Sequence, residues 1–148
     1  MAGKVKHLID AIIAFRSKGN PSMVGFVRAK LMLKGIDPLL SGDLLRILDD
    51  MGHGDRLLLV DRNYPAAASG KPVIRLGDVT ILRAATAILS VLPLDSFVAH
   101  PIERMEVDDD PSVTTTVQDA LLTLATQAEG RALEYGVVPR LDFYDRAS

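Results

Sequence analysis

The chain contains no cysteine among its 148 residues. That absence excludes a disulfide framework and any thiolate metal site, and it fits a cytoplasmic location. Charge of one sign is also missing: 17 Lys and Arg oppose 19 Asp and Glu, for a formal net charge of −2. No run of basic residues forms a stripe, which argues against a nucleic-acid partner. No apolar stretch reaches the roughly 20 residues that would span a bilayer, so no membrane partner is expected. The basic start Met1-Ala2-Gly3-Lys4-Val5-Lys6 precedes an apolar stretch, but Asp10 interrupts it and no small-x-small site follows cleanly, so it is not a secretion signal. Phosphate-loop, G-x-G-x-x-G, H-E-x-x-H and G-x-S-x-G motifs are all absent, leaving nucleotide and zinc chemistry without support.

What is present is ordinary for a globular protein: 48% hydrophobic and 24% charged residues. This length predicts one domain. Such a domain buries roughly 70% of its unfolded surface. The spacing of Val5, Leu8, Ile9, Ile12 and Ile13 predicts an amphipathic helix over 4–17, stopped by Gly19-Asn20-Pro21-Ser22. From Pro38, the leucines at 39, 40, 44, 45 and 48 predict a helix ending near Asp50, with Gly52 as its stop. Arg56 to Asp61 reads as a buried strand, 62–72 as a loop, and Val73 to Leu76 as a second short strand. Asp78 is positioned to cap a helix through Val91, apolar along Val79, Leu82, Ala85, Thr86 and Leu89. A strand follows at 102–107. Asp110-Pro111 then predicts a helix start, with Val113, Val117, Leu121 and Leu124 carrying it to about Glu129. Gly136 to Arg140 reads as a last strand, and Asp142 as the cap of a helix from Phe143. Alternating strands and helices give an α/β class, a single-domain layered fold with a largely parallel central sheet.

Chemistry has few places to reside. His7 lies among lysines, and His100 precedes Pro101 in a loop. His53 stands between two glycines in Met51-Gly52-His53-Gly54-Asp55, on a turn feeding a strand. Spacing alone fits a helix-stop turn that contains a histidine better than it fits a catalytic site. Asp61 ends the predicted strand 56–60, where ligands of open α/β sheets bind, but it reads equally well as a turn residue bonding nearby backbone. His53 and Asp61 flank that strand at opposite ends, and five residues span roughly 17 Å. A site assembled between subunits would remove that difficulty. Arg140 ends the last predicted strand and could clamp hydroxyls or a carboxylate, although a surface role is the default. Asp108-Asp109-Asp110 looks like a cation site, yet three consecutive loop carboxylates cannot all converge.

Five segments, in order and in register, resemble the L-fucose mutarotases, relatives of the D-ribose pyranases. They are Met32-Leu33-Lys34-Gly35-Ile36-Asp37-Pro38-Leu39-Leu40, Met51-Gly52-His53-Gly54-Asp55, Asp61-Arg62-Asn63-Tyr64-Pro65-Ala66, Leu94-Asp95-Ser96-Phe97 and Phe143-Tyr144-Asp145-Arg146-Ala147. The resemblance spans residues 32–148 and sets residues 1–31 apart as an N-terminal helical extension. It implies a ribose pyranase-like fold and a ring-shaped homo-oligomer, typically a decamer, with the site at a subunit interface. The implied activity is exchange between the anomers of a free monosaccharide, without metal or organic cofactor. On this resemblance His53 matches the proton donor, and Asp61 and Arg140 match sugar-binding residues. The family continues past its Phe-Tyr segment into a Tyr-Gly-Asn-like stretch that adds a Tyr and an Asn to the site. Here Tyr135-Gly136 is followed by Val137, so the resemblance implies a domain incomplete at its C-terminus. Asn63 stands where a second His is common in fucose enzymes, which leaves D-ribose or another aldose open beside L-fucose. A non-catalytic sugar-binding or oligomer-interaction remnant, and a partner-docking module built on the N-terminal helix, are the other two readings.

Overall fold

A computed structural model describes residues 33–147. The expected helix over 4–17 lies outside the described residues. Leu39–Ser148 form one compact unit, distinct from Met1–Pro38. The elements of the larger unit are α1 (Gly42–Asp50), a 3₁₀ turn (Ala66–Ser69), α2 (Ile81–Leu89), β1 (Ile102–Met105), α3 (Thr116–Glu129), β2 (Tyr135–Val138) and α4 (Arg140–Ala147). The fold is mixed helix and strand with a parallel sheet, as the pattern predicts.

β1 and β2 pair in parallel, with Ile102 opposite Tyr135 and Met105 opposite Val138. Parallel neighbours need a long crossover, and α3 provides it. The hydrophobic core is small: Leu40, Leu44 and Leu48 from the α1 region, Ala84, Ala85, Ala87 and Ile88 from α2, Ala125 from α3, with Leu133 and Val138. Alanines dominate where α2 packs on α3, because small side chains let the two helix backbones approach. Thr86, expected on the apolar side of α2, is exposed, and Val79 before the helix is 37% exposed.

Several boundaries differ from the sequence reading, each for a local reason. Residues 56–60 and 73–76 are not strands: among the described residues the sheet has only β1 and β2. Without ladder partners, Leu57 and Leu58 stay 37% and 39% exposed instead of buried. Helix α2 is capped by Thr80, whose hydroxyl accepts the Arg83 N–H at 3.2 Å. Asp78 instead meets Arg62 at 2.9 Å. Asp110 does not start α3. Its carboxylate accepts from the backbone and hydroxyl of Ser112 at 2.8 and 2.7 Å, which closes a turn and holds it below the ordinary carboxylate range. Thr115 and Gln118 form a reciprocal capping box, and α3 begins there. Arg140 opens α4 rather than ending a strand. β2 stops at Val138, before Pro139, and α4 starts three residues earlier than the Phe143 that an Asp142 cap would have set.

Two polar features sit inside this frame. Arg104 is 7% exposed; its guanidinium donates to the carbonyls of Pro111 at 2.7 Å and Met105 at 3.4 Å and lies over the Tyr135 ring. The Tyr135 hydroxyl donates to the Gln118 carbonyl at 2.7 Å, and burial pushes its pKa up to about 12. Gly136 is required by close approach: a Cβ there would lie 2.9 Å from the His100 Cβ and 3.1 Å from the Glu103 Cγ. Gly136→Ala is therefore expected to lower unfolding stability by about 1–3 kcal/mol, as overpacking does. Urea denaturation checks it; an unchanged midpoint would show that the backbone there yields freely.

Candidate functional site

The turn after α1 begins with Met51 in extended backbone, not with a left-handed Gly52. The Gly52 N–H donates to the Asp55 carboxylate at 2.8 Å, and the Asp55 N–H returns to the Gly52 carbonyl at 3.1 Å. The left-handed residue is Gly54, at φ 84°, where a side chain would be strained. His53 is held at the tip of this turn.

Its partner is Asp95, which the sequence reading quoted but gave no role. His53 Nδ1 lies 3.2 Å from Asp95 Oδ1. The same carboxylate accepts the Gly54 N–H at 3.1 Å and the Phe97 N–H at 2.8 Å. The Phe97 hydrogen bond is the main cause of a lowered Asp95 pKa; desolvation opposes it, and Gly54 and His53 reinforce it. Phe97 sets its ring edge-on to the imidazole, with centroids 4.6 Å apart. One carboxylate thus fixes both the imidazole and the aromatic beside it. A signal was available: Asp followed by Ser favours a turn in which the Asp side chain bonds backbone two residues on.

Asp61 opens the loop toward the 3₁₀ turn. Its Oδ1 accepts the N–H groups of Asn63 and Tyr64 at 2.9 and 3.2 Å. Oδ2 is left to face other partners. Arg140 is the exposed first residue of α4, and its backbone N–H donates to Glu106 at 2.8 Å. The rings of Tyr64 and Tyr144 stack with centroids 6.1 Å apart and planes within 6°, bringing the Asp61 loop against the Arg140 helix. The three residues singled out from sequence therefore fall into two groups: His53 with Asp95, and Asp61 with Arg140 through the tyrosine stack. Among the described residues, no hydrogen bond or ion pair joins His53 to Asp61 or Arg140.

The cluster is open. The His53 side chain is 74% exposed and Phe97 81%. A groove of about 430 Å³ runs along Thr86, Leu89 and Leu124, and a hollow of about 250 Å³ lies by His100, Arg131 and Glu134; neither is lined by His53, Asp61 or Arg140. No group of three His, Asp or Glu residues among those described could hold a metal ion. Asp108 and Asp109 take left-handed backbone in a tight turn, and Asp110 turns to Ser112. No helix of the described residues is long and apolar enough to cross a membrane.

The arrangement can hold an imidazole in one orientation with its second nitrogen open to solvent. In a carboxyl-carbon NMR titration, Asp95 is expected to titrate below its ordinary value near 3.8. Phe97→Pro removes the main donor, and the midpoint should rise; an unmoved midpoint would refute this assignment. Because folding lowers the pKa, Asp95 stabilises the fold fully above the unfolded value, and that contribution is lost as pH falls through the lowered one.

Residues 34–148 match the RbsD / FucU transport protein family. An L-fucose mutarotase of Glaesserella parasuis is 36% identical over 116 residues, covering 78% of this chain and 80% of that protein. The crystal structure of protein Atu2016 superposes with a TM-score of 0.74 at 39% identity, covering 80% of this chain and 82% of that one. A fucose mutarotase from Streptococcus pneumoniae, solved in complex with L-fucose, gives a TM-score of 0.64 at 34% identity, with 78% and 81% covered.

Proposed function

The chain belongs to the RbsD / FucU family, and on that premise we propose that it interconverts the α and β anomers of a free monosaccharide, L-fucose before D-ribose or another aldose. The observation that carries this reading is the backbone-anchored His53–Asp95 pair. Opening a hemiacetal ring needs one proton delivered to the ring oxygen and one removed from the anomeric hydroxyl. The bond between the anomeric carbon and the ring oxygen breaks, an aldehyde forms, it rotates, and the ring oxygen re-adds to its other face. Nothing is oxidised, and no covalent intermediate on the protein is required.

In this mechanism His53 donates its proton to the ring oxygen. An Nδ1–H directed at Asp95 leaves Nε2 as the atom that faces substrate, since the hydrogen bond of one ring nitrogen sets the role of the other. Asp95 is then a positioning residue that holds the imidazole in place. Proton transfer of this kind contributes about 10²–10⁴-fold. Asp61 and Arg140 hold sugar hydroxyls by charge-assisted hydrogen bonds, Asp61 through the oxygen that its own turn leaves unused.

The same proposal includes a homo-oligomeric ring, decameric in the family resemblance, with the site completed between subunits, in the cytoplasm and without metal or organic cofactor. The wide exposure of His53 and Phe97 supports a site that a second subunit covers. Residues 1–31 stand in it as an extension outside the sugar-handling domain.

Saturation-transfer NMR of anomer exchange tests the reading directly, first with L-fucose and then with D-ribose. His53→Ala is expected to lose about 10²–10⁴-fold in kcat. Arg140→Ala and Asp61→Ala should act on KM instead, raising it about tenfold to a hundredfold, as the loss of hydrogen bonds to charged groups implies. A folded chain that binds a monosaccharide without accelerating exchange would replace this reading with a non-catalytic sugar-binding one.

A further inference from the structure

Helix α4 carries Arg140 at its first position, an unfavourable place for a cation. The N-terminus of a helix presents unpaired N–H groups and the positive end of its dipole. The usual remedy is a Ser, Thr, Asp or Asn just before the helix, whose side chain accepts one of those N–H groups. Here Pro139 stands there, with no side chain able to do so, although its carbonyl accepts the Phe143 N–H at 2.9 Å. The missing acceptor comes from another element. Glu106, just past the end of β1, places Oε1 2.8 Å from the Arg140 backbone nitrogen. Its own N–H donates to the Val138 carbonyl at 2.9 Å, so the residue is tied to the end of β2 by its main chain and to the start of α4 by its side chain.

A second carboxylate, on β1 itself, holds the other end of the helix. Glu103 accepts from Arg146 at 3.2 Å and lies 3.8 Å from Arg56, in the segment that links the His53 turn to Asp61. These pairs are partly exposed, and such contacts contribute little to stability. Their consequence is geometric: α4 is set against β1 at both ends.

We propose that Glu106 is a positioning residue for sugar binding, fixing Arg140 at the head of α4 by supplying, from just past β1, the acceptor that Pro139 cannot. The proposal rests on the sugar-binding role assigned to Arg140 above. Glu106 touches no substrate; it acts through the backbone of Arg140 and by placing a negative charge at the positive end of the helix dipole.

The test is a double-mutant cycle in anomer-exchange kinetics on the full chain, with L-fucose as the probe and D-ribose if L-fucose is not exchanged. Glu106→Ala is expected to raise KM about tenfold with kcat little changed, as loss of a charged hydrogen bond implies. Glu106→Gln keeps a carbonyl acceptor at the same reach and should recover most of the loss, which a collapse of the fold would not allow. In the Arg140→Ala background, Glu106→Ala should add almost nothing, because residues acting through one interaction are not additive. Full additivity in that background, or an unchanged KM in Glu106→Ala, would overturn the proposal while leaving the sugar-exchange reading intact. Absence of both exchange and sugar binding in the folded parent chain would overturn that reading, and the proposal with it.

Discussion

The Asp95 carboxylate joins the turn after α1 to the loop before β1, accepting from His53, Gly54 and Phe97 at once. Two of those three donors are backbone N–H groups, which cannot rotate away as a side chain can. The imidazole is therefore held by a carboxylate that is itself held by main chain. This matters because the His53 side chain is mostly exposed, and an exposed ion pair alone is screened and costs side-chain entropy to maintain. Fastening the acceptor to the backbone moves that cost into the turns, whose conformations the left-handed Gly54 and the Asp95-Ser96 pair already favour.

Helices were the legible part of the fold. The leucine spacing before Asp50 and the alanine-rich stretch after Thr80 place α1 and α2 within a few residues of their observed bounds. What failed was the choice among competing caps. Asp78 and Asp110 both read as helix starts, and both carboxylates are engaged elsewhere, with Arg62 and Ser112. Thr80 and the Thr115–Gln118 box lie closer to the apolar periodicity and prevail. The two runs at 56–60 and 73–76 have strand composition, but a strand exists only against a neighbour, and a neighbour is a tertiary fact that no local pattern contains.

The site was legible unevenly. His53 stands out in sequence because glycines flank it, yet spacing alone could not separate it from an ordinary helix stop. Its orientation depends on a residue 42 positions away, which neither periodicity nor motif spacing could pair with it. Arg140 was singled out but placed on the wrong element. As the end of a strand it would be one more surface cation. As the first residue of a helix it sits against the positive end of a dipole, and Glu106 acquires a reason to be where it is. Asp61 shows the turn reading that its sequence context allowed: its Oδ1 accepts from the backbone of Asn63 and Tyr64.

Sugar mutarotation makes modest chemical demands, and this limits what such a site must supply. Proton transfer at a hemiacetal proceeds in water, so the protein does not have to build a nucleophile or a strong Lewis acid. It has to present an acid at the ring oxygen and hold the hydroxyls still while the aldehyde rotates. Orientation is then the main contribution, and it decays quickly when a positioned group shifts by about 1 Å. That is the context in which the two carboxylates near β1 and β2 acquire weight. On the proposed reading, Asp95 orients the acid, Glu106 holds the head of the helix that carries Arg140, and the Tyr64–Tyr144 stack ties that helix to the Asp61 loop. On that reading none of the three needs to touch substrate to govern how well the site is aligned with it.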